Sequence, residues 1–201
     1  MVKSKGEVKK MRVIAGDKKG FPIKNIKGTN TRPTSGKVKG AIFNMIAPLM
    51  SSEVKALDCF AGSGGLGIEF LSRGGSFCKF VELNYLSYKC LKENLDKLGF
   101  ESKKFNLIKG DVYKVIKNEE KYDCIFIDPP YNRGLAQKMM DDVKEKDLLN
   151  NDGIVVIEHS KNEEVCASIA YFTLFKQKLY GDTTISVYKK NGLLKRGCNN
   201  D

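Results

Sequence analysis

Long hydrophobic runs are missing from this 201-residue chain; the longest uninterrupted apolar stretches are strand-length, which excludes a transmembrane helix. The lysine-rich N-terminus has no apolar segment behind it, which argues against a secretory signal. No C-x-x-C pair occurs among the six scattered cysteines (59, 78, 90, 124, 166, 198). Most of them lie in apolar segments, as buried free thiols of a reducing cytoplasm do. A single histidine, His159, and no cysteine cluster leave little to hold zinc, so no metal site is expected. His159 closes an apolar run and reads as a structural residue at a strand end. There is no internal repeat and no long linker, and the length suits one domain with a sizeable core.

Acidic residues are scarce in one region. Residues 1–40 carry twelve Lys/Arg against Glu7 and Asp17, so only +1 of the net +11 is left for residues 41–201. A basic segment beside a nearly neutral body is the footprint of a partner with a phosphate backbone. Residues 1–10 read as a flexible, solvated extension. Interleaved Gly, Pro and apolar residues make 11–40 read as structured and polyanion-binding, within a basic segment 11–50 packed on a core of 51–190, with 191–201 a frayed tail. Arg12, Arg32, Thr34, Lys37 and Lys39 are candidates for phosphate contact, with Arg133 further along.

From about residue 54, short apolar runs alternate with stretches of helical period. Strands are expected at 54–60, 77–82, 105–109, 122–128 and 154–159, and helices at 66–73, 86–98, 112–117 and 135–149, the last with Asn132 as a possible N-cap. Repeated β-α units imply a parallel sheet covered by helices on both faces. Strands at 172–180 and 183–189, joined by Gly181-Asp182, add an antiparallel hairpin at its edge. Upstream, 37–49 is expected to be helical.

Two places carry chemistry. Asp58-Cys59-Phe60-Ala61-Gly62-Ser63-Gly64-Gly65-Leu66-Gly67 lies where the first strand meets the first helix, and glycines there let a ligand approach the backbone. Gly62, Gly64 and Gly67 fit G-x-G-x-x-G, which raises a dinucleotide site, but a pyrophosphate would be repelled by Asp58. Asp58 instead suits an ammonium group. Glu82, ending the second strand, suits a ribose diol, and Asp111, after the third, suits an adenine amino group. The fourth strand then delivers Asp128-Pro129-Pro130-Tyr131: a carboxylate and a ring on a stiff turn, suited to a planar substrate with an amino group.

The glycine turn and the Asp-Pro-Pro-Tyr turn together resemble class I S-adenosylmethionine-dependent methyltransferases, in the branch that methylates exocyclic amino groups of nucleobases. Arg12-Val13-Ile14-Ala15-Gly16, Thr31-Arg32-Pro33-Thr34, Phe43-Asn44, 58–66, Leu71-Ser72-Arg73-Gly74 and 128–131 look like the RsmD family, across about residues 11–189. Those bacterial enzymes methylate guanine N2 of one nucleotide in 16S rRNA. The resemblance implies an α/β, Rossmann-like methyltransferase fold: a seven-stranded, mostly parallel sheet with a C-terminal antiparallel hairpin and a small basic N-terminal extension. It implies S-adenosyl-L-methionine as cofactor and 16S rRNA or the small ribosomal subunit as partner; nothing in the sequence demands a dimer, and the scattered cysteines and strand-length apolar runs fit a cytoplasmic monomer with no membrane. Cofactor contacts are then expected at Asp58, Phe60, Ala61, Gly62, Ser63, Gly64, Glu82, Leu83, Asp111 and Val112. Catalytic roles fall to Asp128, Pro129, Pro130 and Tyr131, with Asp128 and the Pro129 carbonyl accepting the amino hydrogens and Tyr131 stacking on the base. Two departures stand out: 35–40 reads Ser-Gly-Lys-Val-Lys-Gly where the family usually has Asp-Arg-Val-(Arg/Lys)-Glu after Arg-Pro-Thr, and Asn84 replaces a common Asp. Two alternatives remain open: an amino-methyltransferase acting on DNA adenine N6 or cytosine N4, and a non-catalytic RNA-binding assembly factor on the same scaffold.

Overall fold

Strand-length apolar runs from residue 55 onward pair into one sheet, and the helices between them cover its two faces. The computed structural model describes residues 11–26, 36–50, 53–118, 120–131, 133–165 and 170–191. The expectations for residues 1–10, Arg32, Thr34, Asn132 and 192–201 lie outside them. In chain order the elements are β1 (Met11–Arg12), β2 (Pro22–Ile23), α1 (Gly36–Ile46), β3 (Lys55–Asp58), α2 (Gly65–Ser72), β4 (Phe77–Glu82), α3 (Tyr85–Leu98) and β5 (Phe105–Lys109). There follow α4 (Val112–Val115), β6 (Tyr122–Ile127), α5 (Leu135–Glu145), β7 (Leu149–Ser160), β8 (Phe172–Tyr180) and β9 (Thr183–Lys190). No described helix is long and apolar enough to cross a membrane.

The main sheet has seven strands in the order β5-β4-β3-β6-β7-β9-β8. β3 to β7 are parallel, and β9 runs antiparallel to both β7 and β8. Alternation along each strand splits the core into two layers. Ala56, Phe80, Cys124, Phe126 and Val156 face α1, α2 and α3, whereas Leu57, Val81, Ile125, Ile127 and Val155 face α4 and α5. Phe126 sits between Phe43 of α1 and Phe70 of α2, with ring centroids at 5.9 and 6.0 Å. Each such fully buried ring is worth about 1.5–3 kcal/mol. Cys59, Cys78, Cys90 and Cys124 are buried free thiols.

Several boundaries shift by one to three residues, as where the strand expected over 54–60 ends at Asp58 and the helices expected over 37–49 and 112–117 end at Ile46 and Val115; two shift further. The helix expected over 135–149 stops at Glu145, because Asp147 takes a positive φ of 47° and turns the chain back. The strand expected from 154 begins at Leu149: the register against β6 jumps between Tyr122 and Cys124, and the polar residues 150–153 sit in that irregularity, with Asp152 at φ 64°. His159 is structural, as read: Nδ1 donates to the Ser160 and Glu163 carbonyls at 3.0 and 2.8 Å, and Nε2 meets Ser186 Oγ at 2.9 Å.

A small second sheet, β1 paired with β2, is too short for periodicity to reveal. It docks through Val13 and Ile23, both buried, and through a polar anchor on α2. Glu69 accepts the Ile14 and Ala15 N–H groups at 2.8 and 3.0 Å. Ser72 Oγ donates to the Ala15 carbonyl at 2.6 Å and accepts from the Lys18 N–H at 3.0 Å. At Gly16 (φ +81°) an added Cβ would lie 1.7 Å from the Ser72 carbonyl oxygen, so only glycine lets the segment come this close. The stretches 12–16 and 71–74 therefore lock each other in place.

Candidate active site

β5, β4, β3 and β6 are adjacent and parallel, so their C-terminal ends share one edge. Asp111, Glu82, Asp58 and Asp128 end or follow these strands in that spatial order. At about 4.8 Å per strand the row spans about 14 Å. β3 has β4 on one side and β6 on the other, and at such a reversal an open α/β sheet leaves a crevice beyond its strand ends.

The turn after β3 is stitched to both neighbouring strands: Cys59 N–H donates to the Phe126 carbonyl and Ala61 N–H to the Val81 carbonyl, both at 3.0 Å. Gly62 and Gly64 have φ of +55° and +89°. The glycines divide the work. Gly64 and Gly67 serve packing, since an added Cβ would come within 2.4 Å of Leu91 and 2.2 Å of Phe80. Around Gly62 the backbone is open, with only the Phe60 carbonyl at 3.9 Å. Asp58 is 2% exposed and accepts the Gly67 N–H at 3.0 Å. Burial pushes its carboxyl up to about 7, partly offset by the Gly67 N–H, with nearby Glu82 adding to the rise.

Glu82 is fixed through both oxygens, one accepting Gly62 N–H at 2.7 Å and the other Asn84 N–H at 2.6 Å. The Leu83 N–H also reaches this carboxylate, and of its roughly four lone-pair sites at least one remains for a ligand. Burial raises its carboxyl above the usual value despite these N–H groups. Asn84 explains its own departure from the family pattern: Oδ1 caps α3, accepting from Leu86 and Ser87 N–H at 2.9 and 3.1 Å, work that Asn and Asp do equally well. Beyond Glu82, Leu83 is 68% exposed. Asp111 caps α4 by accepting the Tyr113 N–H at 3.1 Å. Phe60 meets Tyr113 edge-on at 6.4 Å, beside the buried Val112.

On the other side of β3, Pro129 is buried, while Asp128, Pro130 and Tyr131 are partly exposed. Tyr131 is latched by two residues that the sequence reading missed. Its hydroxyl donates to Glu158 Oε1 at 2.9 Å and lies 3.0 Å from Thr183 Oγ1. Burial, and the nearby Glu158 and Asp128 carboxylates, hold its phenol well above the usual range. Glu158 is only 4% exposed; a carboxylate interrupting the apolar run 154–157 before His159 was the available signal. Thr183 carried none, because only sheet pairing brings β9 beside β7.

The basic candidates separate. Arg12, Lys37 and Arg133 are exposed, although Arg12 also donates to the Gly20 carbonyl at 2.8 Å. Lys39 is a correction: it is fully buried, with Nζ 3.0 Å from both Glu69 Oε2 and the Arg12 carbonyl, so it cannot meet a phosphate. The sequence held the signal, since 39, 42, 43 and 46 follow the spacing of one buried helix face.

The family model described as conserved hypothetical protein 95 matches residues 11–189. The chain belongs to that family. It is the RsmD family that the motifs resemble. The Bacillus subtilis protein YlbH is 39% identical over 186 residues, covering 90% of this chain and all of that protein. Ribosomal RNA small subunit methyltransferase D of Haemophilus influenzae is 32% identical over 189 residues, covering 92% of this chain and 95% of its own length. Among solved structures, yhhF of Escherichia coli superposes with a TM-score of 0.81 at 25% identity, covering 91% of this chain and 99% of that one. The fold of this RsmD-family chain is thus the Rossmann-like methyltransferase fold, including its antiparallel C-terminal hairpin.

Proposed function

We propose that the chain is a cytoplasmic, monomeric methyltransferase that moves a methyl group from S-adenosyl-L-methionine to the exocyclic N2 of one guanine in 16S rRNA, within the small ribosomal subunit or an assembly intermediate. One observation carries this reading: a row of four carboxylates on adjacent strand ends, meeting an Asp-Pro-Pro-Tyr turn whose ring is latched. The names of the relatives support ribosomal RNA as the substrate, and the motif resemblance supports guanine N2.

The donor set fits the cofactor. Asp58 is a buried carboxylate, and its one hydrogen bond among the described residues comes from the Gly67 N–H, so an ammonium group would relieve its desolvation. Glu82 is aimed by backbone N–H groups and keeps lone-pair capacity for a diol. The open backbone at Gly62, with Ala61, Ser63 and Gly64, lines the approach, and Phe60 and Leu83 offer apolar surface to a purine whose amino group Asp111 accepts, with the backbone of the buried Val112 next to it. S-adenosylmethionine, when bound, supplies a methyl group already electrophilic on its sulfonium.

The acceptor is the harder part, because the guanine N2 lone pair is delocalised into the ring. Asp128 and the Pro129 carbonyl accept the two amino hydrogens and favour a pyramidal nitrogen whose lone pair points out of the base plane. Tyr131 stacks on the base, and the hydroxyl latch to Glu158 and Thr183 keeps its ring from swinging away. Pro129 and Pro130 keep the turn stiff, so little reorganisation is needed. Residues 11–50 form the RNA-contacting segment on the core of 51–190, with Arg12, Arg32, Thr34, Lys37 and Arg133 taking phosphates. All groups come from one chain.

Purified chain with labelled adenosylmethionine, offered small subunits, free 16S rRNA and duplex DNA in parallel, tests this. Label is expected in rRNA, on guanine N2, and Asp128→Ala should abolish transfer while cofactor affinity stays within a few-fold. Label in DNA alone would overturn the rRNA assignment; cofactor binding with no label anywhere would favour the assembly-factor reading.

A further inference from the structure

Asp58 and Glu82 hold the glycine turn through its N–H groups; one further side chain holds a carbonyl of the same turn. Asn94 of α3 is 2% exposed. Its Nδ2 donates to the Ser63 carbonyl at 2.9 Å and to the Lys24 carbonyl at 3.0 Å, and its Oδ1 accepts the Lys24 N–H at 2.9 Å. A primary amide has two donor hydrogens and a carbonyl acceptor, and all are engaged here. The same face of α3 reinforces both ends of this bridge. Cys90 Sγ donates to the Lys24 carbonyl at 3.3 Å, and Leu91 packs so closely on the turn that a Cβ at Gly64 would lie 2.4 Å from it. Lys24 continues from β2, within the basic N-terminal region, and Ser63 follows Gly62, whose N–H is held by Glu82. One buried amide therefore touches the backbone of both the basic segment and the cofactor turn.

We propose that Asn94 is a positioning residue that sets the cofactor turn and couples it to the N-terminal segment, so that RNA on the segment and adenosylmethionine on the turn tighten each other. The inference rests on the reading of those two regions given under Proposed function. The coupling is reciprocal by thermodynamic necessity. It needs the amide. An aspartate at 94 has no donors and would set a negative charge against two carbonyl oxygens, and a leucine would leave the Lys24 N–H and the Ser63 carbonyl unpaired and the Lys24 carbonyl with only the Cys90 thiol.

The test measures adenosylhomocysteine affinity by calorimetry on the full chain, with and without free 16S rRNA. For the unmodified chain, rRNA is expected to raise affinity about five-fold or more. Asn94→Asp should lose about ten-fold in affinity without RNA and lose the RNA-dependent gain, while Asn94→Gln should fail to restore either, because its longer stem misplaces the amide. Asn94→Asp affinity within two-fold of the unmodified chain, with the same gain, would overturn the proposal. Should the variants not fold, hydrogen exchange on the unmodified chain decides: bound rRNA alone should slow exchange of the 63–65 amides, and unchanged exchange would overturn the coupling. If rRNA does not bind at all, the partner reading and the coupling fall together. The affinity of Asn94→Asp without RNA then still decides whether Asn94 sets the turn.

Discussion

Glu69 and Asp58 are both buried carboxylates flanking the glycine turn, yet their surroundings could hardly differ more. Glu69 accepts two backbone N–H groups and is paired with Lys39 at 3.0 Å and Arg73 at 2.9 Å. Asp58 accepts one N–H, from Gly67, and its carboxyl is driven up to about 7. Burial is common to both; compensation is not. A saturated buried carboxylate is cement between chain segments, whereas an under-compensated one is where a cationic ligand would be welcome.

The largest effect expected from breaking this contrast is on stability. Glu69→Gln leaves Lys39 buried without its counter-ion and should cost about 3–5 kcal/mol in denaturant unfolding, while cofactor affinity per folded molecule stays within about two-fold. A loss under about 1 kcal/mol would mean that the pair is not the cement described. Asp58→Asn should do the reverse. It keeps an acceptor for the Gly67 N–H but removes the charge, so cofactor affinity should fall about 10–100-fold, the worth of a hydrogen bond to a charged group.

The stability consequence of Asp58 has a definite sign. Its folded pKa of about 7 lies above the ordinary 3.8, so between those values the folded state holds a proton that the unfolded state has released. This group's contribution therefore falls as pH rises from about 4 to 7. Asp58→Asn should flatten that slope and be the more stable form at pH 8. Equal slopes in both proteins would mean that Asp58 is ionised throughout.

Cofactor binding should show the same titration from the other side. An ammonium group binds the ionised carboxylate, so below about pH 7 binding must expel the Asp58 proton, and affinity should rise with pH by at most ten-fold per unit before levelling off. Calorimetry at pH 6 in two buffers of different ionisation enthalpy should detect the released proton in the unmodified chain and none in Asp58→Asn. Equal proton release from both would place the titration elsewhere.

Much of this was legible in the sequence, for a physical reason. Strands buried on both faces read as short apolar runs, and ligand-binding turns follow them, so Asp58, Glu82, Asp111 and Asp128 could be placed at strand ends. What could not be read acts across the sheet between distant segments. Glu158 and Thr183 reach Tyr131 from β7 and β9, and Asn94 joins residues 24 and 63. β1 and β2 are two residues each, below the reach of any periodicity. At Lys39 two sequence signals conflict, charge pointing to a phosphate and helical phase to the buried face of α1, and the phase prevails.

The contrast between cement and contact extends to the cations, where the smallest effect is expected. Lys37 and Lys39 are two residues apart on α1, but only Lys37 faces solvent. If Lys37 meets a phosphate, Lys37→Met should weaken rRNA binding and reduce the slope of log affinity against log salt by about 1. Lys39→Met removes an equal formal charge, yet it should leave that slope unchanged and appear instead as lost stability, because Glu69 stays buried with one cation fewer. Matched slopes for both variants would show that the basic segment acts through its total charge. Slopes that differ by about one ion would show that helix phase decides which lysine RNA can reach.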